Sequence, residues 1–204
     1  ENIKNNSPTR FVLYLSIDFE SIDDINFEEK QVALIDSASA AGVMGLKVYK
    51  TLGLTSRDLN GNRIAVNDLR LDPIWKACGD NNIPVLIHSA EPESFWETKD
   101  KFNERWLELR QKPSRYRDPT INPSFEEVLA EQHDIFKKHP NTTFINAHLG
   151  WMGNDLDRLE THLDTYPNVM TEIGAVLAEL GRQPKRAKRF FIDYQDRILF
   201  GKDS

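Results

Sequence analysis

Three side chains suited to binding a metal ion stand at the ends of short apolar runs in this chain. His88 ends the run PVLIH, His148 ends TFINAH and Asp203 ends ILFGKD. Each run is typical of a buried β-strand, and in a closed parallel barrel the C-terminal ends of all strands converge on one face. Two imidazoles and one carboxylate can hold a divalent cation and leave one position open. The sequence therefore predicts a metal centre built from these three side chains.

The elements that must position these side chains alternate regularly between strand-like and helix-like segments. Strands are predicted at residues 11–19, 45–50, 84–88, 143–148, 169–174 and 197–203. Helices are predicted at residues 26–41, 71–79, 124–138, 155–165 and 182–191, the third with a capping box formed by Ser124 and Glu127. This alternation predicts a parallel sheet covered by helices. An open doubly wound sheet is the competing architecture, but polar residues at the ends of at least four strands favour a barrel.

The sequence contains fewer predicted strands than a complete barrel. A (β/α)8 barrel has eight strands and roughly 250 residues, whereas six strands are predicted in these 204 residues. We therefore expect one α/β domain spanning residues 1–204, a (β/α)8 TIM barrel of which roughly strands 3 to 8 are present. Two strands before Arg10 and at least one helix after Ser204 are expected to belong to the protein as well.

The amino-acid composition disfavours some classes of binding partner. Hydrophobic residues make up 39% and charged residues 28% of the chain, which is typical of a globular protein. No apolar run approaches the roughly 20 residues of a membrane-spanning helix, and the net charge of −6 disfavours nucleic acid. The single cysteine, Cys78, excludes an internal disulfide and is expected to be buried. We expect a cytoplasmic protein with a small-molecule substrate and no nucleic-acid or membrane partner, and homodimerisation is compatible with this sequence.

Four segments, in barrel order, resemble the amidohydrolase superfamily, in the branch typified by aminocarboxymuconate-semialdehyde decarboxylase and related hydrolases. They are GLKVY, PVLIH, NAHLG and LFGKDS, and the resemblance extends from Arg10 to the end of the chain. The resemblance implies that His88 and His148 belong to a metal site and that Asp203 is both a metal neighbour and the proton acceptor. The family's His-x-His pair on the first strand does not occur in this sequence. We expect it to lie before Arg10.

Two further charged residues at strand positions are candidates for the site. In binuclear members of the superfamily, a lysine at the position of Lys47 is carbamylated and bridges two metals. The ammonium group can instead bind a substrate carboxylate, form an imine, or make a structural ion pair. Glu172 lies near a strand end, where it can bind substrate or support the metal ligands.

A long insertion at residues 90–123 is expected to form a lid, because long loops after barrel strands commonly cover the site. Its aromatic side chains can exclude water and its arginines can bind a carboxylate. The candidate substrate-binding residues are Trp96, Arg115 and Arg117, with Trp151 placed to wall the pocket. The alternative is an ordinary amphipathic helix at residues 103–110. His133, His139 and His162 are expected to be solvated.

Four functions follow from these candidates. The leading hypothesis is a metal-dependent hydrolase that activates water against an amide, ester or lactone of a small anionic substrate. The second is metal-dependent, non-oxidative decarboxylation of a small unsaturated or aromatic acid. The third is a metal-free aldolase that uses Lys47, and the fourth is a non-catalytic binding barrel. Mixed nitrogen and oxygen ligands suit zinc best, with manganese, iron and nickel as alternatives.

Overall fold

The computed structural model of the chain describes residues 10–203. In these residues one six-stranded sheet is flanked by helices. The strands are β1 (Tyr14–Ser16), β2 (Gly45–Val48), β3 (Val85–Ile87), β4 (Phe144–Asn146), β5 (Val169–Glu172) and β6 (Ile198–Leu199). The α-helices are α1 (Phe27–Ala40), α2 (Thr51–Leu54), α3 (Asp72–Asp80), α4 (Trp106–Gln111), α5 (Phe125–Lys138), α6 (Leu156–Thr165), α7 (Leu177–Gly181) and α8 (Pro184–Asp193).

The order of the strands identifies the architecture. They pair in sequence order from β1 to β6, and every neighbouring pair is parallel. A doubly wound sheet would reverse its strand order at a switch point, and the described part of the chain contains no reversal. Winding in a single direction is the arrangement of a (β/α)8 barrel. The prediction of an incomplete barrel is therefore confirmed.

The two faces of the sheet have different roles because successive strand residues point to opposite sides. On β2, Leu46 and Val48 are fully buried in the core, whereas Lys47 between them is only partly buried. Lys47 pairs in register with Leu86 of β3, which pairs with Ile145 of β4. These three side chains line one cavity on the inner face of the sheet. The alternation thus directs Lys47 toward the candidate site.

Local sequence signals located the helices better than the strands. The predicted capping box at the start of α5 is present: the Ser124 side chain accepts from the Glu127 N–H, and the Glu127 carboxylate accepts from the Ser124 N–H. The strands are shorter than predicted, since β1 has three residues and β6 only two. Asp203 therefore lies beyond the end of β6 and not at its tip. No helix within residues 10–203 is long and apolar enough to span a bilayer.

The prediction that His162 is solvated is wrong. Its residue surface is only 5% exposed, and its ring packs against those of His133, Phe136 and Tyr166. Neither ring nitrogen has a hydrogen-bond partner among the described residues. The cause is helical spacing, because position 162 follows the buried Leu159 by three residues and so shares the apolar face of α6.

The structure contradicts the prediction that His139 is solvated and confirms the prediction that Cys78 is buried. His139 is not a free surface residue, because its Nε2 lies 3.1 Å from an Asp72 carboxylate oxygen and its side chain is only 10% exposed. Cys78 is fully buried, as predicted, and burial raises the pKa of its thiol to about 12. Cys78 is therefore a packing residue of the core.

His162 should make the protein sensitive to acid. Burial, followed by the nearby His133, lowers the pKa of His162 to about 3 from an ordinary value of 6.5. The folded state therefore binds fewer protons than the unfolded state below pH 6.5. The resulting stability is fully present above that pH and is lost on acidification, at up to about 1.4 kcal/mol per pH unit, until the folded pKa is reached.

The His162→Phe variant tests this dependence by urea denaturation at a series of pH values between about 7 and 4. We expect its free energy of unfolding to fall less steeply with acidification than that of the wild type, because phenylalanine does not titrate. Parallel pH profiles for the two proteins would show that His162 does not cause the acid sensitivity.

Candidate metal centre

His148 projects from a left-handed turn that directly follows β4. The four residues from His148 to Trp151 all have φ between 54° and 59°. This region costs a residue with a side chain roughly 1–2 kcal/mol, and only Gly150 among the four avoids that cost. Such a backbone persists only where neighbouring groups hold it in place.

Glu172, at the end of β5, holds this turn. One carboxylate oxygen accepts a hydrogen bond from the His148 backbone N–H at 2.6 Å, and the other accepts from the Gly174 N–H at 2.6 Å. Glu172 also lines the cavity, as a candidate substrate ligand should. Because both of its oxygens bind backbone groups, its role in this geometry is to support His148.

The ring of His148 is held in one tautomer. Its Nδ1 lies 2.8 Å from the Gly174 carbonyl oxygen, which can only accept, so Nδ1 carries the proton. The other nitrogen, Nε2, therefore has a free lone pair. A backbone carbonyl that orients a histidine in this way is the usual partner of a metal-binding imidazole.

The lone pair of His148 is directed at His88. Nε2 of His148 and Nδ1 of His88 are 3.2 Å apart. Burial, together with the nearby His148, Lys47 and Lys50, lowers the pKa of His88 to about 2, so its imidazole is neutral at physiological pH. Two nitrogens bound to one cation at about 2.0–2.1 Å lie roughly 3.0–3.4 Å apart. The pair thus fits two ligands of one divalent cation.

Asp203, the third predicted ligand, lies in the same cavity but not against the histidines. It is exposed on the segment that follows β6, beside Gly174, where an added Cβ would come within 3.1 Å of the Asp203 nitrogen. Within residues 10–203, no three His, Cys, Asp or Glu side chains are gathered closely enough to hold a metal ion. The three-ligand centre stays a prediction, with two of its members in contact.

A cavity of about 450 Å³ adjoins the two histidines. Its apolar wall includes Leu86, Ile145 and Leu199, and its charged groups other than Glu172 are Lys47, Lys50, Lys202 and Asp203. Burial lowers the pKa of Lys47, while the negative charges of Glu172 and Asp203 act in the opposite direction. An apolar wall with several ammonium groups suits a small molecule that carries an anionic group.

Two residues of the insertion have structural roles. Trp96 and Arg115 both belong to the described residues, and neither lines this cavity. The Trp96 indole N–H donates to the Pro123 carbonyl at 2.7 Å and so joins the two ends of the insertion. Arg115 forms an ion pair with Glu108. The substrate contacts predicted for both residues, like the lid, remain predictions.

Trp151 and Arg117 also lie outside the cavity wall formed by the described residues, but they are close to the histidines. The Trp151 ring packs against His148 and His88, with centroid distances of 4.7 and 5.7 Å. Its indole N–H donates to the Ala90 carbonyl at 2.8 Å. Trp151 therefore covers one side of the histidine pair.

Arg117 is bonded to a buried carboxylate that the sequence did not single out. Its guanidinium donates to Glu91 at 3.0 Å, and Lys50 donates to the same oxygen at 2.7 Å. Glu91 is only 3% exposed and lies three residues after His88. A carboxylate in a loop is normally exposed to solvent. The one sequence signal for a role of Glu91 is therefore its position just after the strand that carries His88.

The fold is that of an incomplete (β/α)8 barrel whose polar side chains gather at the C-terminal ends of the strands. The amidohydrolase family model matches residues 21–204, so the chain belongs to the amidohydrolase family. A search of curated proteins gave no match.

Solved structures of the same fold include several enzymes. One is 5-carboxyvanillate decarboxylase from Sphingomonas paucimobilis, with a TM-score of 0.59, 12% identity and coverage of 99% of this chain and 58% of the other. The enzyme of that name from Novosphingobium aromaticivorans, complexed with manganese and 4-hydroxy-3-methoxy-5-nitrobenzoic acid, has a TM-score of 0.54, 16% identity and coverage of 99% and 56%. The 4-oxalomesaconate hydratase from Rhodopseudomonas palustris has a TM-score of 0.54, 12% identity and coverage of 98% and 53%. The chain thus spans just over half of each structure, and at these identities the likeness shows the fold.

The role of Glu172 can be tested by stability. In Glu172→Gln, the amide NH2 group must face one of the two backbone N–H donors, which leaves that donor unpaired. We expect the free energy of unfolding to fall by about 1–3 kcal/mol in urea denaturation. The matched control is Asp196→Asn at an exposed site, where a change within about 0.5 kcal/mol is expected. Equal effects of the two substitutions would show that Glu172 does not hold the turn.

Proposed function

We propose that this chain carries part of a divalent-metal-dependent decarboxylase acting on a small unsaturated or aromatic acid. The observation that carries the proposal is the 3.2 Å approach of His148 Nε2 to His88 Nδ1 beside the cavity. Membership of the amidohydrolase family supports a catalytic role. The choice of reaction draws on the decarboxylases of similar fold, one of which was crystallised with manganese and a substituted benzoic acid.

The proposed ligands are His88 and His148, joined by Asp203. Zinc suits this mixture of nitrogen and oxygen donors best, with manganese, iron and nickel as alternatives, and manganese is present in one structure of similar fold. When bound, the cation supplies positive charge that stabilises negative charge developing on a substrate oxygen. Trp151, packed behind both imidazoles, keeps them in position and shields that side of the pair from water.

The cavity wall would orient the substrate. The Lys47 ammonium group pairs with an anionic oxygen substituent, and Leu86 and Ile145 contact the apolar carbon skeleton. A carboxylate held against an apolar wall is poorly solvated, whereas carbon dioxide is neutral. These surroundings therefore favour loss of the carboxylate as carbon dioxide.

Asp203 would act as the proton donor. When the carbon–carbon bond to the carboxylate breaks, its electron pair stays on the substrate carbon and carbon dioxide leaves. That carbon takes one proton from the Asp203 carboxylic acid, which regains a proton from solvent at its exposed position. One proton is consumed for each carbon dioxide released, so the reaction balances without an oxidant.

Hydrolysis is the second candidate, and the exposure of Asp203 favours it. A carboxylate that faces both the cavity and solvent can take a proton from an attacking water molecule, whereas the decarboxylation requires the protonated form of the same group. The substrate would then be an amide, ester or lactone with an anionic group for Lys47.

Product analysis distinguishes the two reactions. The manganese-loaded protein, incubated with hydroxylated benzoic acids labelled with ¹³C at the carboxylate, is expected to release labelled carbon dioxide. Asp203→Asn should slow the release by roughly 10²- to 10⁴-fold, the usual contribution of a general acid or base. The exposed Asp196→Asn variant, matched in chemistry, should retain the wild-type rate.

Hydrolysis of esters or lactones by the same preparation, without carbon dioxide release from any acid, would support the second candidate in place of the first. Equal rates for Asp203→Asn and Asp196→Asn would remove Asp203 from the mechanism.

A further inference from the structure

We propose that Glu91 is a positioning residue that favours the tautomer of His88 in which both histidines present lone pairs to one point. The effect on metal affinity rests on the proposed function, whereas the effect on the tautomer does not.

Glu91 is a buried carboxylate held from one side by two cations. Its Oε1 accepts hydrogen bonds from Lys50 Nζ at 2.7 Å and from Arg117 Nη2 at 3.0 Å. The Glu91 side chain is only 4% exposed and that of Arg117 only 11%. Because charged groups are costly to bury, this arrangement fixes the carboxylate in one orientation.

The other oxygen of Glu91 faces His88. Glu91 Oε2 lies 4.0 Å from His88 Nε2, a nitrogen that is buried and has no hydrogen-bond partner among the described residues. At this distance the interaction is electrostatic and not a hydrogen bond. In a buried environment, the orientation of an N–H dipole or a lone pair toward a carboxylate still matters strongly.

The two tautomers of His88 differ in how they meet this carboxylate. With the proton on Nε2, the N–H dipole points to Glu91 and the Nδ1 lone pair faces His148. With the proton on Nδ1, this N–H would donate to His148 Nε2 at 3.2 Å, but a lone pair would face the carboxylate and His88 could not act as a ligand. Glu91 therefore favours the first tautomer, in which His88 can act as a ligand.

The two histidines are thus oriented by different means. The Gly174 carbonyl sets the tautomer of His148 by a direct hydrogen bond, whereas Glu91 favours the ligand-competent tautomer of His88 through charge. Since Arg117 belongs to the insertion and Lys50 lines the cavity, Glu91 also links the insertion to the histidine pair.

An ion pair that only stabilises the fold would give the same contacts. The test therefore measures the tautomer of His88, which a change in stability alone does not alter. In Glu91→Gln, Lys50 and Arg117 retain the side-chain oxygen, and the NH2 group then turns to His88 and donates toward Nε2. The matched control is Glu179→Gln, which alters a carboxylate of similar burial, 5% exposed, that pairs with Arg105 of the insertion and not with a histidine.

The tautomer is read directly by long-range ¹H–¹⁵N NMR of the metal-free protein. We expect the fraction of His88 that carries its proton on Nε2 to be larger in the wild type and in Glu179→Gln than in Glu91→Gln, where only the hydrogen bond from Nδ1 to His148 Nε2 remains favourable. An equal Nε2 fraction in the wild type and Glu91→Gln, or an equal loss in Glu179→Gln, would overturn the inference.

Metal affinity provides the second readout, with Mn²⁺ as the probe in isothermal titration. Glu91→Gln is expected to weaken binding by about 10- to 100-fold, Glu91→Asp to recover part of the loss, and Glu179→Gln to bind like the wild type. Equal weakening in both glutamine variants would mean a general structural effect and would overturn the role of Glu91 in affinity. A wild type that binds neither Mn²⁺ nor Zn²⁺ would contradict the proposed function, and the NMR result would still decide the role of Glu91.

Discussion

The bridge that the Glu172 carboxylate makes between the His148 and Gly174 backbone N–H groups is the constraint on which the site depends. The left-handed turn after β4 is unfavourable for residues with side chains, and this bridge satisfies one of its backbone donors with a charged acceptor. The same turn brings the His148 ring onto the Gly174 carbonyl. The direction of the Nε2 lone pair therefore follows from the position of Glu172 at the end of β5.

The barrel explains why these groups can meet. Parallel strands in sequence order bring the ends of β3, β4 and β5 side by side, so residues far apart in the chain share one rim. Because side chains alternate along each strand, Lys47, Leu86 and Ile145 lie on the inner face, where they form part of the cavity wall. Loops that follow the strands then add the polar groups: His88 and Glu91 after β3, His148 and Trp151 after β4, and Asp203 after β6.

Much of this could be predicted from the sequence, because apolar periodicity and helix caps are local signals. The order of the elements, the capping box at Ser124 and the two histidines that meet were all predicted. The left-handed turn was not, since three of its four residues have side chains and nothing local marks them for positive φ. The roles of Glu172 and Glu91 depend on partners distant in the chain, as does the burial of His162. The displacement of Asp203 from the strand end followed from the shortness of β6, and strand ends are set by neighbouring strands.

The central claim is that His88 and His148 share one divalent cation. The most direct measurement is anomalous X-ray diffraction from crystals of the protein grown with Mn²⁺, recorded on both sides of the manganese absorption edge. The claim predicts a single strong peak between His148 Nε2 and His88 Nδ1 that disappears in His148→Ala crystals grown in the same way. A wild-type map with no peak between these two nitrogens, or with manganese bound only elsewhere, would contradict it.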